Sequence, residues 1–297
     1  MIFINYYDEI KNELVNNEIT KKVKDYSKNR SDLNTYYNVG KLLSEAGKHY
    51  GEGIIKEYSK RLTNELGNGY SISNLKNMRN FYVFFSKSQT MSGQLTWSHY
   101  IELLKLVDKE KINYYIKIIE EENLSVRELR QRIKNNEYGR LDEETKKKLK
   151  TKEQLKVSDL VKNPLQIRNT SGNNEISEKV LQKLILEDIS SFLKELGNGF
   201  CFIDNEYKIK IGDRYNYIDL LLFNYEFNCF VVVELKVSEL KKEHIGQIEF
   251  YMNYIDKNLK NINQNKTIGI IICKKENRYV IEYCSDDRII AREYSLV

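Results

Sequence analysis

Proline is almost missing: the chain of 297 residues holds one, Pro164. Histidine is scarce, with three residues at positions 49, 99 and 244. Four cysteines occur, Cys201, Cys229, Cys273 and Cys284, and no two of them form a Cys-x-x-Cys pair. Imidazoles and thiols this sparse and this far apart do not make a zinc cluster or a disulfide framework. Each cysteine lies in strand-like, largely apolar sequence, where the expectation is a reduced core thiol of a cytoplasmic protein. No stretch approaches the roughly 18 uninterrupted apolar residues of a membrane span. Met1 to Asp8 has no basic region, long apolar run or small-residue cleavage site, so no signal peptide is expected. What remains is 41% hydrophobic and 31% charged, too rich in apolar residues for a disordered chain. Its length suits about two domains.

Charge is unevenly spread. Residues 1–150 hold 27 Lys or Arg against 21 Asp or Glu, and residues 151–297 hold 21 against 22. A basic first half points to a phosphate-rich partner, or to an ordinary solvated surface.

Texture changes along the chain in the same place. In residues 1–140, apolar residues recur three and four apart from 6 to about 50, then over 54–66, 75–85, 100–107, 112–119 and 126–133. Thr96 is placed to cap a helix opening at Trp97, and Ser125-x-x-Glu128 has capping-box spacing. Gly67 and Gly69 stop the segment before them. Over 141–175 the pattern dissolves into a charged run, Pro164 and the stretch Asn169 to Asn174, which reads as an inter-domain linker with a short helix inside it. Residues 176–297 begin with one amphipathic helix over 176–196, ended by Gly197-Asn198-Gly199. Strand-like segments follow at 200–203, 207–211, 217–223 and 229–237, then a helix over 242–259 and strands at 267–273 and 279–284. The whole is an α+β multidomain chain: an all-α, helix-turn-helix-like first domain, then an α/β domain with a mixed central sheet.

Two apolar strands carry charge where a core would not hold it. One contains Asp219, the other Glu234 and Lys236. If Glu226 and Phe227 form the tip of the hairpin between them, the ladder sets Asp219 opposite Glu234. The period of two places Lys236 on the same face as Glu234, with Leu235 pointing away. Desolvating an unpaired carboxylate costs at least several kcal/mol, and one lysine balances only one of two. A hard divalent cation on oxygen ligands, Mg²⁺ or Mn²⁺, balances the rest. The competing reading is a plain salt bridge from Lys236 to Glu234 or Asp219.

Glu234-Leu235-Lys236 and Ile218-Asp219 resemble the catalytic elements of the PD-(D/E)XK nuclease superfamily, with isoleucine in place of the proline. Gln247-x-x-x-Tyr251 resembles the helix motif of one branch of these nucleases, and residues at i and i+4 share a helix face. The segments 71–81, 95–100, 125–129, 195–200, 217–223 and 230–236 together are similar to the bacterial YhcG-type family, over roughly nine-tenths of the chain. The resemblance implies a restriction-endonuclease-like fold and phosphodiester hydrolysis. Asp219, Glu234 and the Leu235 carbonyl would bind the metal, and an acid from the first helix, for which Glu187 is chosen over Glu178 and Asp188, would complete the set. Lys236 would stabilise the developing charge, with Gln247 and Tyr251 positioning a phosphate or the nucleophile.

In the first half, residues 54–85 resemble a helix-turn-helix, whose second helix would present Lys76, Asn77 and Arg79 to DNA. Asn74 and Asn80 have the same hydrogen-bonding capacity. Arg127, Arg130, Arg132 and Lys134 form a second basic stripe for phosphates. The alternative is an α-hairpin that makes a homodimer. The expected activity is a DNA nuclease with no membrane partner. A non-catalytic nucleic-acid-binding subunit of a defence complex and an RNA-processing nuclease remain open.

Overall fold

Caps and apolar spacing turn most of the first half into helices in the computed structural model. It describes residues 5–23, 28–51, 53–86, 92–170, 172, 176–284 and 286–297. Contacts divide the chain into two units, Met1–Asn136 and Glu137–Val297. The first contains α1 (Tyr6–Val23), α2 (Lys28–Tyr50), α3 (Ile54–Leu66), α4 (Ile72–Phe85), α5 (Trp97–Leu103), α6 (Lys109–Glu122) and α7 (Val126–Lys134). Ser71 caps α4 by accepting a hydrogen bond from the Asn74 amide at 3.2 Å. The expected capping box of α7 closes, with Ser125 N–H on Glu128 Oε2 at 2.9 Å and Glu128 N–H on Ser125 Oγ at 3.3 Å.

The core of this unit is built on α2 and α4. Leu75, Met78, Phe81 and Phe85 of α4 are buried, as are Val39, Leu43 and Ala46 of α2. The two helices cross at Gly40, where a methyl group would lie 2.1 Å from the Met78 carbonyl oxygen. Only glycine lets the backbones approach so closely.

The second unit begins with α8 (Glu143–Thr151), α9 (Val157–Leu160), β1 (Leu165–Ile167), α10 (Glu178–Glu187) and α11 (Ile189–Leu196). It continues with β2 (Phe200–Ile211), β3 (Arg214–Asn224), β4 (Cys229–Glu239), α12 (Lys242–Asn258), β5 (Ile268–Lys275), α13 (Arg278–Glu282) and β6 (Ile289–Leu296). One six-stranded sheet has the order β1-β6-β5-β4-β3-β2. It is antiparallel across β2, β3 and β4 and parallel across β4, β5, β6 and β1. The sheet is therefore mixed, with α10 and α11 over one face and α12 over the other. Gly269 of β5 lets α12 dock closely, because a methyl there would meet Met252 Sδ at 2.6 Å and Ile248 Cδ1 at 2.9 Å.

Several sequence expectations need correction. The helix expected over 176–196 breaks at Asp188, whose side chain leaves the first helix and caps the second by accepting from the Ser191 amide at 3.3 Å. The strand expected at 279–284 is the short helix α13, opened by Asn277, and the last strand lies further on. The described part of the expected linker, residues 141–170, is woven into the second unit. Its Lys162 ammonium donates to the carbonyls of Lys194 and Glu195, and Arg292 donates to the Val161 and Ser158 carbonyls. Strand β1 from this segment closes one sheet edge against β6. Asp142 pairs with Arg292 at 3.1 Å, a partner that neighbouring residues do not reveal. Cys229 and Cys273 are buried thiols as expected, but Cys201 is exposed.

Gly40→Ala should lower the stability of the full chain by about 1–3 kcal/mol through overpacking. Gly53→Ala, where a methyl meets nothing within 4 Å, is the control. Thermal melting followed by circular dichroism compares the two, and equal melting temperatures would refute the close helix crossing.

Candidate active site

Strands β3 and β4 are joined by the four residues 225–228, and Asn224 shapes the turn by accepting from the amides of Glu226 and Phe227 at 3.1 Å each. The ladder runs from Asn224↔Cys229 to Leu220↔Val233. One step further along that register lie Asp219 and Glu234, the pair expected to face each other. Here the ladder gives way to a side-chain contact: Asp219 Oδ2 accepts from the Leu235 amide at 2.7 Å. The Asp219 carbonyl receives the Gln182 side chain from α10 at 3.0 Å.

Glu234 is 2% exposed, within a strand whose neighbours Val231, Val232, Val233 and Leu235 are fully buried. Its Oε1 accepts from Lys236 Nζ at 3.1 Å and from Gln247 Nε2 at 2.9 Å. Gln247 Nε2 also lies 3.2 Å from the Tyr251 hydroxyl. Oε2 of the same carboxylate is buried with no hydrogen-bond partner. Such an atom loses its hydration without replacement, at a cost of about 1–3 kcal/mol or more.

The electrostatics follow from that burial. Desolvation pushes Glu234 up to about 7, and the neighbouring Asp219 charge adds to the rise against the pull of Lys236. Asp219 is also raised by burial, offset in part by the Leu235 amide. Burial opposes the Lys236 charge, but Glu234, Glu178 and Asp219 outweigh it and hold the ammonium above the ordinary lysine range. Lys236 is thus a fixed cation among three carboxylates, since Glu178 Oε2 lies 3.7 Å from its Nζ.

Glu178, not Glu187, is the first-helix acid that the fold turns toward this cluster. Nine residues separate the two on one helix, and at about 100° per residue they sit on opposite sides. Glu187 instead accepts from Thr170 Oγ1 at 2.7 Å and pairs with Lys183 at 3.8 Å. Gln182, one turn after Glu178 and on the same side, was not picked out from the sequence. The i, i+4 spacing of Glu178 and Gln182 was the available signal.

A divalent cation fits this donor set. The unsatisfied Oε2 of Glu234 and the adjacent Asp219 carboxylate are hard oxygen donors bearing more negative charge than Lys236 cancels. The Leu235 side chain is buried on the other face and its amide is taken by Asp219, which leaves the carbonyl as its only backbone donor. Among the described residues no group of three or more His, Cys, Asp or Glu is gathered for a metal.

The residues expected to touch nucleic acid are scattered over two helices. Lys76 of α4 is exposed, and Asn77 and Arg79 are half-buried. Asn74 is occupied structurally, donating to the Gly69 carbonyl at 2.6 Å and accepting from Trp97 Nε1 at 3.2 Å. On α7, Arg127 is exposed, but Arg130 pairs with Glu102 at 2.7 Å and Arg132 pairs with Glu122. Part of the expected basic stripe is therefore neutralised within the unit. The α4 helix packs more extensively on α2 than on α3, its expected helix-turn-helix partner.

Residues 158–296 match the YhcG PDDEXK nuclease domain, and residues 9–140 match the DUF1016 N-terminal domain. The chain is 26% identical to the nuclease candidate YhcG of Escherichia coli (strain K12), over 88% of this chain and 82% of that protein. Two solved structures align with 41% and 43% of the chain: a repair endonuclease from Pyrococcus abyssi (19% identity, TM-score 0.30) and a complex of EndoMS with double-stranded DNA (17% identity, TM-score 0.29). These alignments span about half of each structure, 49% and 48%.

A metal at Asp219 and Glu234 would stabilise the fold only when Glu234 has lost its proton. Glu234 is raised, so the proton leaves as pH climbs from the ordinary glutamate value through about 7. Added Mg²⁺ or Mn²⁺ should therefore raise the melting temperature little at pH 5 and clearly at pH 8. The stabilisation approaches about 2.7 kcal/mol at a hundredfold excess over Kd. Glu234→Gln should abolish the shift, and a metal shift that survives that substitution would place the cation elsewhere.

Proposed function

Since residues 158–296 match the YhcG PDDEXK nuclease domain, we propose that this chain hydrolyses phosphodiester bonds in DNA with a divalent metal at Asp219 and Glu234. The observation that carries the reading is the buried, half-satisfied Glu234 carboxylate beside Asp219, with Lys236 between them and Glu178. No other feature of the sheet calls for two carboxylates in its apolar interior.

Each residue has a role that follows from its contacts. Asp219 and Glu234 would hold the cation, with the Leu235 carbonyl as a third donor. Asp219 is oriented by the Leu235 amide, and Glu234 by Gln247, so both present oxygens at fixed positions. The bound ion would lower the pKa of a coordinated water and offset charge developing at phosphorus. Lys236 stays protonated and supplies a preorganised positive charge toward the same phosphoryl group. Gln247 couples Glu234 to Tyr251, whose hydroxyl lies at the edge of the cluster and can orient a phosphate oxygen. Glu178 balances the Lys236 charge and can serve through water as the additional acid. In the helical unit, Lys76, Asn77, Arg79 and Arg127 bind DNA phosphates and deliver the substrate, with Arg130 contributing from its Glu102 pair.

Asp219→Asn, Glu234→Gln and Lys236→Met should each slow metal-dependent cleavage of DNA by about 100-fold or more while the protein stays folded. Glu178→Gln should slow it and Glu187→Gln should leave it unchanged. Full activity in Glu234→Gln would end the assignment.

Replacing Lys76 and Arg127 together with alanine should weaken DNA binding by the full chain alike across sequences. The salt dependence should fall by about two phosphate contacts. Unchanged affinity, with self-association lost instead, would favour a dimerising role for the helical unit.

A further inference from the structure

The β3–β4 ladder stops at Leu220↔Val233, yet β2 and β3 remain paired down to Ile211↔Arg214. The two strands therefore run on past Asp219 as a ribbon that turns at Gly212, whose φ is +58°. Its two faces differ in chemistry. Ile209 and Ile218 are fully buried in the core beneath it. On the other face, the register pairs Lys208 with Tyr217 and Lys210 with Tyr215, so all four side chains project to one side. Both lysines are exposed, and Tyr215 and Tyr217 are 52% and 51% exposed.

The two ammonium groups converge on one ring. Lys208 Nζ lies 3.8 Å and Lys210 Nζ 5.9 Å from the centre of Tyr215. A ring quadrupole attracts each cation, and the two cations repel each other. Neither lysine has a carboxylate at ion-pair distance among the described residues. The ribbon's acids are placed apart: Asp213 is at the turn, and Glu206, in a left-handed backbone conformation with φ +49°, stands between the Asn205 and Tyr207 register positions, across from Asp219. Among the described residues Tyr217 makes no ring or hydrogen-bond contact, and it sits two residues from Asp219, about 7 Å along a strand.

Two converging, unpaired cations fit a polyanion, and a free aromatic face beside them fits a base that is not already stacked. The geometry points to this ribbon face as the seat of a nucleic-acid strand with unpaired nucleotides next to the scissile bond, Lys208 and Lys210 on its phosphates and Tyr217 under a base. The inference rests on the nuclease reading above and adds to it the substrate class, a junction of duplex and single strand.

The test uses the full chain in metal-free buffer, where no cleavage occurs, and fluorescence anisotropy with two labelled probes. One is a blunt DNA duplex and the other is the same duplex with thymidine tails. Lys208→Ala/Lys210→Ala should weaken binding of the tailed probe and reduce its salt slope by about 1.4. Tyr217→Ala should weaken the tailed probe about fivefold or more and leave the blunt duplex unchanged. Lys208→Arg/Lys210→Arg should bind as the parent does. All three positions are exposed, so melting temperatures should match the parent. If the parent binds the tailed probe and these variants bind it equally well, or if Tyr217→Ala weakens both probes alike, the ribbon assignment is overturned while the nuclease reading stands. If the parent binds neither probe, the nuclease reading fails and the ribbon assignment with it.

Discussion

A glutamate carboxylate inside a β-sheet is the constraint from which the rest of this structure can be understood. Glu234 has lost its water on a strand surrounded by fully buried valines, and protein groups satisfy only one of its oxygens. In a low-dielectric interior such a group raises its pKa, finds a cation, or destabilises the fold. Here Lys236 answers part of the charge, and Asp219 beside it adds more of the same sign. The arrangement is electrostatically incomplete, and its incompleteness is what makes it a proposed metal and phosphate site rather than a structural ion pair.

The fold delivers four elements to that carboxylate. The Asn224-shaped turn fixes the β3–β4 register, which brings Asp219 to the end of the ladder. Strand period two places Lys236 beside Glu234. The close docking of α12 over Gly269 sets the height at which Gln247 and Tyr251 meet the sheet. The α10 helix is tied to β3 by Gln182, and its rotation selects Glu178. A one-residue slip in the hairpin would turn Asp219 to the opposite face and leave Glu234 without its partner.

The helical unit spends much of its charge internally. Arg130 and Arg132 are gripped by Glu102 and Glu122, while Lys76 and Arg127 project into solvent. A net charge counted from sequence therefore overstates the field such a surface presents, because neutralised pairs contribute little at the distances over which a polyanion is attracted.

By itself the sequence determined what depends on neighbours in the chain. Capping residues and apolar spacing located α3 and α7 closely, and alternation located β3 and β4. The pair Asp219 and Glu234 was readable because a short hairpin has few possible registers. Tertiary structure alone decided what depends on distant partners. Glu178 prevails over Glu187 because helix phase is set by which face packs, and that face is known only once α10 lies on the sheet. The charged segment 141–170 became part of a domain because Arg292 and the end of α11 receive it. The expected strand at 279–284 gave way to the helix Arg278–Glu282, and the place beside β5 went to β6, which β1 covers in turn. Local propensity cannot see a sheet edge, an ion partner a hundred residues away or the rotation of a helix, since each is a property of packing rather than of adjacent residues.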